Sequence, residues 1–134
     1  MINKLLTFIL CFTVSTVAFS QTTKTTLSLL QAKQWKMRLK NNYVYFDIYE
    51  DNGKLLSRSG DELKERTYSY YLSNAIDTVF DEKKMGKSEN GKYIICLFSN
   101  DKKMPSVFEI ITLNDSYMAL KHLRYCIIEE FDAK

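Results

Sequence analysis

From Trp35 onward the chain alternates. Trp35, Met37 and Leu39 are apolar, and Lys36, Arg38 and Lys40 between them are charged. A period of two with opposite characters on its two sides predicts a half-buried strand. Residues 43–49 repeat the pattern, with Val44, Phe46 and Ile48 expected on the core face and Tyr43, Tyr45, Asp47 and Tyr49 on the other. Asp51-Asn52-Gly53 predicts a tight hairpin, with 54–57 as its return strand. Polar residues 59–66 read as a loop or short helical turn. Over 67–72, Tyr68, Tyr70 and Leu72 share one face, and a weaker strand follows over 75–80. The run 93–98 is too short for a helix and suits a buried strand. Asn90-Gly91 before it predicts another hairpin, because both residues take positive φ at low cost. Pro105 belongs at the first residues of a strand over 107–113, Asn114-Asp115 turns that strand into 116–120, and a last strand spans 123–131. Further turns are expected at Asn41-Asn42 and over 99–103, and Ser28 is a candidate cap for a short helical turn through Leu29, Leu30 and Ala32. Eight or nine short strands with small, regular turns predict an all-β antiparallel meander, either a closed barrel or a sandwich.

The head of the chain differs from this pattern. Lys4 precedes a nearly unbroken apolar run from Leu5 to Val14, and Ala18-Phe19-Ser20 puts small residues where a signal peptidase reads. Residues 1–20 therefore read as a signal peptide cleaved before Gln21. The run is shorter than the ~20 residues a membrane span needs, so no span is expected after signal removal. Cys11 lies inside the run, which is not the cleavage-point position of a lipoprotein cysteine. The remaining residues, 21–134, make one domain of a protein expected in the periplasm or outside the cell. With a formal net charge of +3, a single Pro and four Gly, the chain has no broad pull toward nucleic acid and no linker composition.

Two patches carry a family resemblance. Leu29-Leu30-x-x-x-x-Trp35-x-Met37 resembles the opening of lipocalin-like domains in small secreted bacterial proteins, where a leucine pair precedes a tryptophan on the first strand. The family's glycine before that tryptophan is replaced here by Ala32-Lys33-Gln34. Ile110-x-x-Leu113-x-x-x-x-Met118-x-Leu120 resembles the late hairpin of those domains. The resemblance implies an up-and-down lipocalin-like β-barrel of about eight strands whose usual role is non-covalent binding. On that reading the ligand is an apolar or amphipathic small molecule. The inward candidates are Trp35 and Met37, Phe46 and Ile48, Tyr70 and Leu72, Ile95 and Leu97, and Met118.

Catalytic chemistry is not legible. His122 is the single histidine, between Lys121 and Leu123, and an exposed loop histidine is the ordinary reading. One His and two mature Cys are too few for a zinc site. There is no phosphate loop, nucleophile elbow or His-Glu-x-x-His, and the carboxylates are scattered among Lys and Arg in the solvated pattern. The chain reads as a non-enzyme without cofactor or metal. Cys96 and Cys126 form either a disulfide, as export permits, or two buried small hydrophobes that never meet. A bridge closing about thirty residues would add roughly 3 kcal/mol. Nine tyrosines, with Tyr43, Tyr45 and Tyr49 on one strand face, supply the alternative function: a protein-interaction module with an exposed tyrosine-rich sheet face. The competing explanation is ordinary strand propensity.

Overall fold

The computed structural model of the protein describes residues 23–39, 43–98 and 104–134. The expected signal peptide and the turns at 41–42 and 99–103 fall outside these residues. One short helix, α1 (Thr26–Gln31), precedes eight strands: β1 (Trp35–Met37), β2 (Tyr45–Tyr49), β3 (Lys54–Ser59), β4 (Lys64–Ser73), β5 (Tyr93–Leu97), β6 (Ser106–Leu113), β7 (Tyr117–His122) and β8 (Ile127–Ala133). Each strand pairs antiparallel with the next, and β8 returns to β1, so the sheet is a closed up-and-down barrel with no free edge. On the outer surface the β8–β1 seam is fastened by Arg38, which donates to both Asp132 oxygens at 2.7 and 2.8 Å.

The predicted turn at Asp51-Asn52-Gly53 forms the β2–β3 hairpin. Gly53 has φ +77°, and a Cβ there would lie 3.0 Å from the Tyr70 carbonyl, so both backbone conformation and space require glycine. Asn114 makes the β6–β7 turn, its side chain accepting from the backbone of Ser116 and Tyr117. Two other turns differ from expectation. Within 59–66 the expected loop shortens to a turn at residues 60–63, and the flanking residues belong to β3 and β4. The expected last strand begins with a turn over residues 123–126, and β8 starts at Ile127.

Asn90-Gly91 is not a hairpin. β4 and β5 are joined by residues 74–92, which contain a 3₁₀ turn at Glu82–Lys84 and no strand at 75–80. In a closed barrel β4 and β5 already have both neighbours, so the short apolar pattern there finds no edge to join. Phe80 instead lies on the barrel's outer wall against Tyr71, with ring centroids 5.0 Å apart. Asn90 accepts from the Thr26 amide at the start of α1. Gly91 is selected by crowding, because a Cβ there would sit 2.6 Å from the Ser73 nitrogen.

α1 closes one end of the barrel. Its N-cap is Thr25, not Ser28; the Thr25 side chain accepts from the Ser28 amide at 3.1 Å. Leu30 is fully buried, and the Trp35 indole Nε1–H donates to the Leu30 carbonyl at 3.0 Å. The interior beside α1 is packed by Trp35, Tyr49, Tyr70, Leu72, Ile94 and Met118. A second apolar cluster, Tyr71, Phe80, Ile95 and Val107, lies on the outer face under residues 74–92. Among the described residues no helix is long and apolar enough to cross a membrane.

Candidate functional site

The barrel end opposite α1 holds a cavity of about 320 Å³. Strand phase determines what lines it. Trp35 on β1 is buried inside, and its direct partner across the ladder is Asp47. Cross-strand partners share a face, so Asp47 points inward with Tyr45 and Tyr49, and Phe46 and Ile48 point outward. This reverses the phase expected for β2. Phe46 is buried on the outer surface under lysines, with the Lys134 Nζ 4.5 Å from its ring centroid. The β5 phase is reversed as well. Tyr70 pairs with Cys96 and Leu72 with Ile94, which turns Ile95 and Leu97 outward against the second cluster.

Of the expected ligand-facing residues, five face the interior: Trp35, Met37, Tyr70, Leu72 and Met118. Only Met37 among them lines the cavity; the other four fill the closed end. Phe46, Ile48, Ile95 and Leu97 lie outside the barrel. The tyrosines expected on an exposed sheet face are redistributed too. Tyr49 is buried and Tyr45 half-buried at the cavity, leaving Tyr43 exposed at 52% beside the mouth.

The apolar wall comes from Leu55, Phe98, Phe108, Leu120 and Phe131. Phe98 and Phe108 meet edge to face with centroids 6.1 Å apart. Into this wall are set polar groups that strand periodicity does not reveal. Asp47 is 5% exposed, the one buried charged residue among the described residues, and its Oδ1 has no hydrogen-bond partner. Burial pushes its carboxyl up to about 7; the Ser57 hydroxyl on β3 opposes that shift, and the Glu129 carboxylate adds to it. Glu129, half-buried on β8, is itself raised by burial. Burial, then the Asp47 charge, holds the Tyr45 phenol well above its ordinary range.

His122 is not an exposed loop residue. It ends β7, half-buried, with its ring 4.7 Å from the Phe108 centroid and its Nδ1 buried without a partner. Burial, then the Arg124 charge, lowers its pKa and favours the neutral imidazole. Among the described residues no three His, Cys, Asp or Glu side chains converge in a way that could hold a metal ion.

The cysteines do not form a bridge. Cys96 is buried on the inward face of β5, and Cys126 is exposed in the β7–β8 turn at φ +53°. The strand expected at Cys126 begins one residue later, and its first residues, Ile127 and Ile128, are exposed. Burial, then the Asp47 charge, raises the Cys96 thiol far above its usual range. Protein isolated without reductant is expected to label at one thiol when folded, Cys126, and at two after unfolding. Absence of thiol labelling in the unfolded chain contradicts this arrangement.

A wider groove of about 580 Å³ lies outside the barrel beside residues 77–84. Its polar groups satisfy one another: Tyr71 Oη donates to Asp77 at 2.6 Å and Lys84 Nζ donates to the same oxygen at 2.9 Å. The interior cavity differs in having buried polar atoms left without partners, which marks it as the candidate site. No protein-family model matches the chain, and neither the curated proteins nor the solved structures contain a match to it.

Proposed function

We propose that the protein is an exported, lipocalin-like binding barrel that holds one amphipathic small molecule in its open-end cavity, without catalysing a reaction on it. The observation that carries this reading is the combination of an aromatic and aliphatic wall with two buried, unpartnered polar atoms, Asp47 Oδ1 and His122 Nδ1. A volume of about 320 Å³ falls at the lower end of the range for small-molecule sites. An eight-stranded barrel is wide enough to hold one such ligand when its side chains leave room. Export rests on the apolar run 5–14 with Ala18-x-Ser20. The alternative, a tyrosine-rich contact face, loses its support, since Tyr45 and Tyr49 turn toward the cavity.

A neutral, environment-sensitive naphthalene dye tests the reading. It is expected to bind the folded protein saturably at about one per chain, with a blue shift in its emission. Met37→Trp, which adds bulk to the cavity wall, should abolish binding in a protein that remains folded. Ile128→Ser, on the exposed outer face of β8, should leave binding unchanged. Saturable binding that survives Met37→Trp would locate the dye elsewhere, and absence of saturable binding would refute the proposal.

A further inference from the structure

We propose that the ligand of this cavity carries a protonated amine and that the Asp47 carboxylate is its counter-ion. The inference rests on the small-molecule reading above and specifies its chemistry. Asp47 is more than nine-tenths buried, with one oxygen unpartnered, at the edge of the cavity. Its neighbours cannot supply the missing charge. The Ser57 hydroxyl opposite it on β3 is neutral. The charged group that shares the cavity is Glu129, a second carboxyl.

The nearby arginines are directed elsewhere. Arg38 is engaged on the outer surface with Asp132, and Arg58 with Glu65. Arg66, the partner of Ser57 on β4, shares that face, but it is exposed and does not line the cavity. Arg124, whose charge acts on His122, donates to the Met104 sulfur at 3.1 Å and does not line the cavity. Among the described residues the cavity thus contains two carboxyls and no cation. A buried carboxylate without a partner is costly, and a desolvated ammonium ion with an N–H aimed at the free oxygen is the complement that offsets that cost. A carboxylate ligand would add a third negative charge to the same space. Tyr45, Phe98 and Phe108 line the cavity and suit the apolar body of an amine, and aromatic rings attract a cation.

The binding should also depend on pH. An ammonium ion pairs with ionised Asp47, whose carboxyl stands at about 7, so affinity should fall as pH drops from 8 to 6. The other titratable groups lining the cavity are Tyr43 at its mouth, Tyr45 and Tyr49 on β2, Cys96 on β5, His122 on β7 and Glu129 on β8. Burial keeps the Tyr45 and Tyr49 phenols and the Cys96 thiol protonated across that interval. Protonation of His122 or Glu129 on acidification would disfavour the amine further.

The test uses three probes built on one dansyl group: dansylethylenediamine, which carries an ammonium; its N-acetyl derivative, which is neutral; and dansylglycine, which carries a carboxylate. Binding is read as dansyl emission excited through Trp35, the only tryptophan, which is the ladder partner of Asp47. At pH 8 the ammonium probe is expected to bind at one per chain and at least about tenfold tighter than the acetylated probe, with dansylglycine weakest. Asp47→Asn should erase the preference for the ammonium probe, and moving the unaltered protein to pH 6 should shrink it. If the variant does not fold, the pH comparison decides. Dansylglycine binding as tightly as the ammonium probe, or a preference indifferent to both Asp47→Asn and pH, would overturn the amine assignment while leaving the binding cavity intact. No saturable binding of any probe, with none of the neutral naphthalene dye, would overturn both readings.

Discussion

Trp35→Ala is expected to destabilise the protein by about 3–5 kcal/mol, the usual range for truncating a buried large aromatic. Trp35 is fully buried at the closed end, and its indole donates to the Leu30 carbonyl at 3.0 Å. Truncation therefore opens a cavity in the closed-end core and releases the one side-chain hydrogen bond from β1 that ties α1 to the barrel. Trp35→Phe separates the two effects. It keeps most of the packing but leaves the Leu30 carbonyl unpartnered, at a cost of about 1–3 kcal/mol. Lys36→Ala, on the exposed outer side of β1, should change stability by no more than about 0.5 kcal/mol. Denaturant unfolding measures all three. Native fluorescence should be blue-shifted and resist acrylamide; a red, easily quenched emission would mean that Trp35 is not inside.

Asp47→Asn should stabilise the protein above neutral pH and have little effect near pH 5. The Asp47 carboxyl is raised from 3.8 to about 7, chiefly by burial. Between those values the native state holds a proton that the unfolded chain has released, so wild-type stability declines as pH rises from about 4 to about 7 and then levels. A shift of that size corresponds to a maximum of about 4 kcal/mol. Asparagine stays neutral throughout and avoids this loss, although its amide gains donors that also need partners, which brings the expected gain at pH 8 to about 1–3 kcal/mol. The measurement is the difference in unfolding free energy between variant and wild type at pH 5 and pH 8. An identical difference at both pH values would show that Asp47 carries no raised pKa in the folded protein. Such a gain is what the proposed binding site predicts: a buried carboxyl without a partner costs stability, and a ligand of the proposed kind would supply that partner.

Much of the fold was legible because alternation and turn chemistry are local. The strand at Trp35, the Asp51-Asn52-Gly53 hairpin, the strand with Tyr68, Tyr70 and Leu72 inward, and the β6–β7 hairpin all follow from residues that are neighbours in sequence. The errors arise where a second layer intervenes. The run Ile94-Ile95-Cys96-Leu97 is apolar on both faces, because residues 74–92 cover the outside of β5. A strand buried on both sides carries no period from which to read its phase. On β2 the more apolar set, Phe46 and Ile48, reads as inward. A barrel that sets polar groups into its cavity wall inverts that rule, and the Lys36 and Lys134 ammonium groups lie over the Phe46 ring outside. The Asn90-Gly91 pair has the composition of a hairpin turn, whereas Asn90 serves α1 and Gly91 serves a close approach to Ser73.

The candidate site was hardly legible at all, and the reason is geometric. Its polar groups come from β2, β5, β7 and β8, and nothing in local spacing connects Asp47 with Cys96, His122 or Glu129. One clue was available in principle. The alternation around Trp35 places it inside, and the β1–β2 register alone then carries Asp47 inward with it. By itself the sequence determined the all-β meander, the number of strands to within one and the burial of Trp35, because periodicity and turn preference act over a few residues. Only the tertiary structure decided that the sheet closes, which phase β2 and β5 adopt, that Cys96 and Cys126 stay apart, and that Asp47 is buried without a partner. Those outcomes depend on ladder register and on which outer faces are covered, and both are set by contacts between segments distant in the chain.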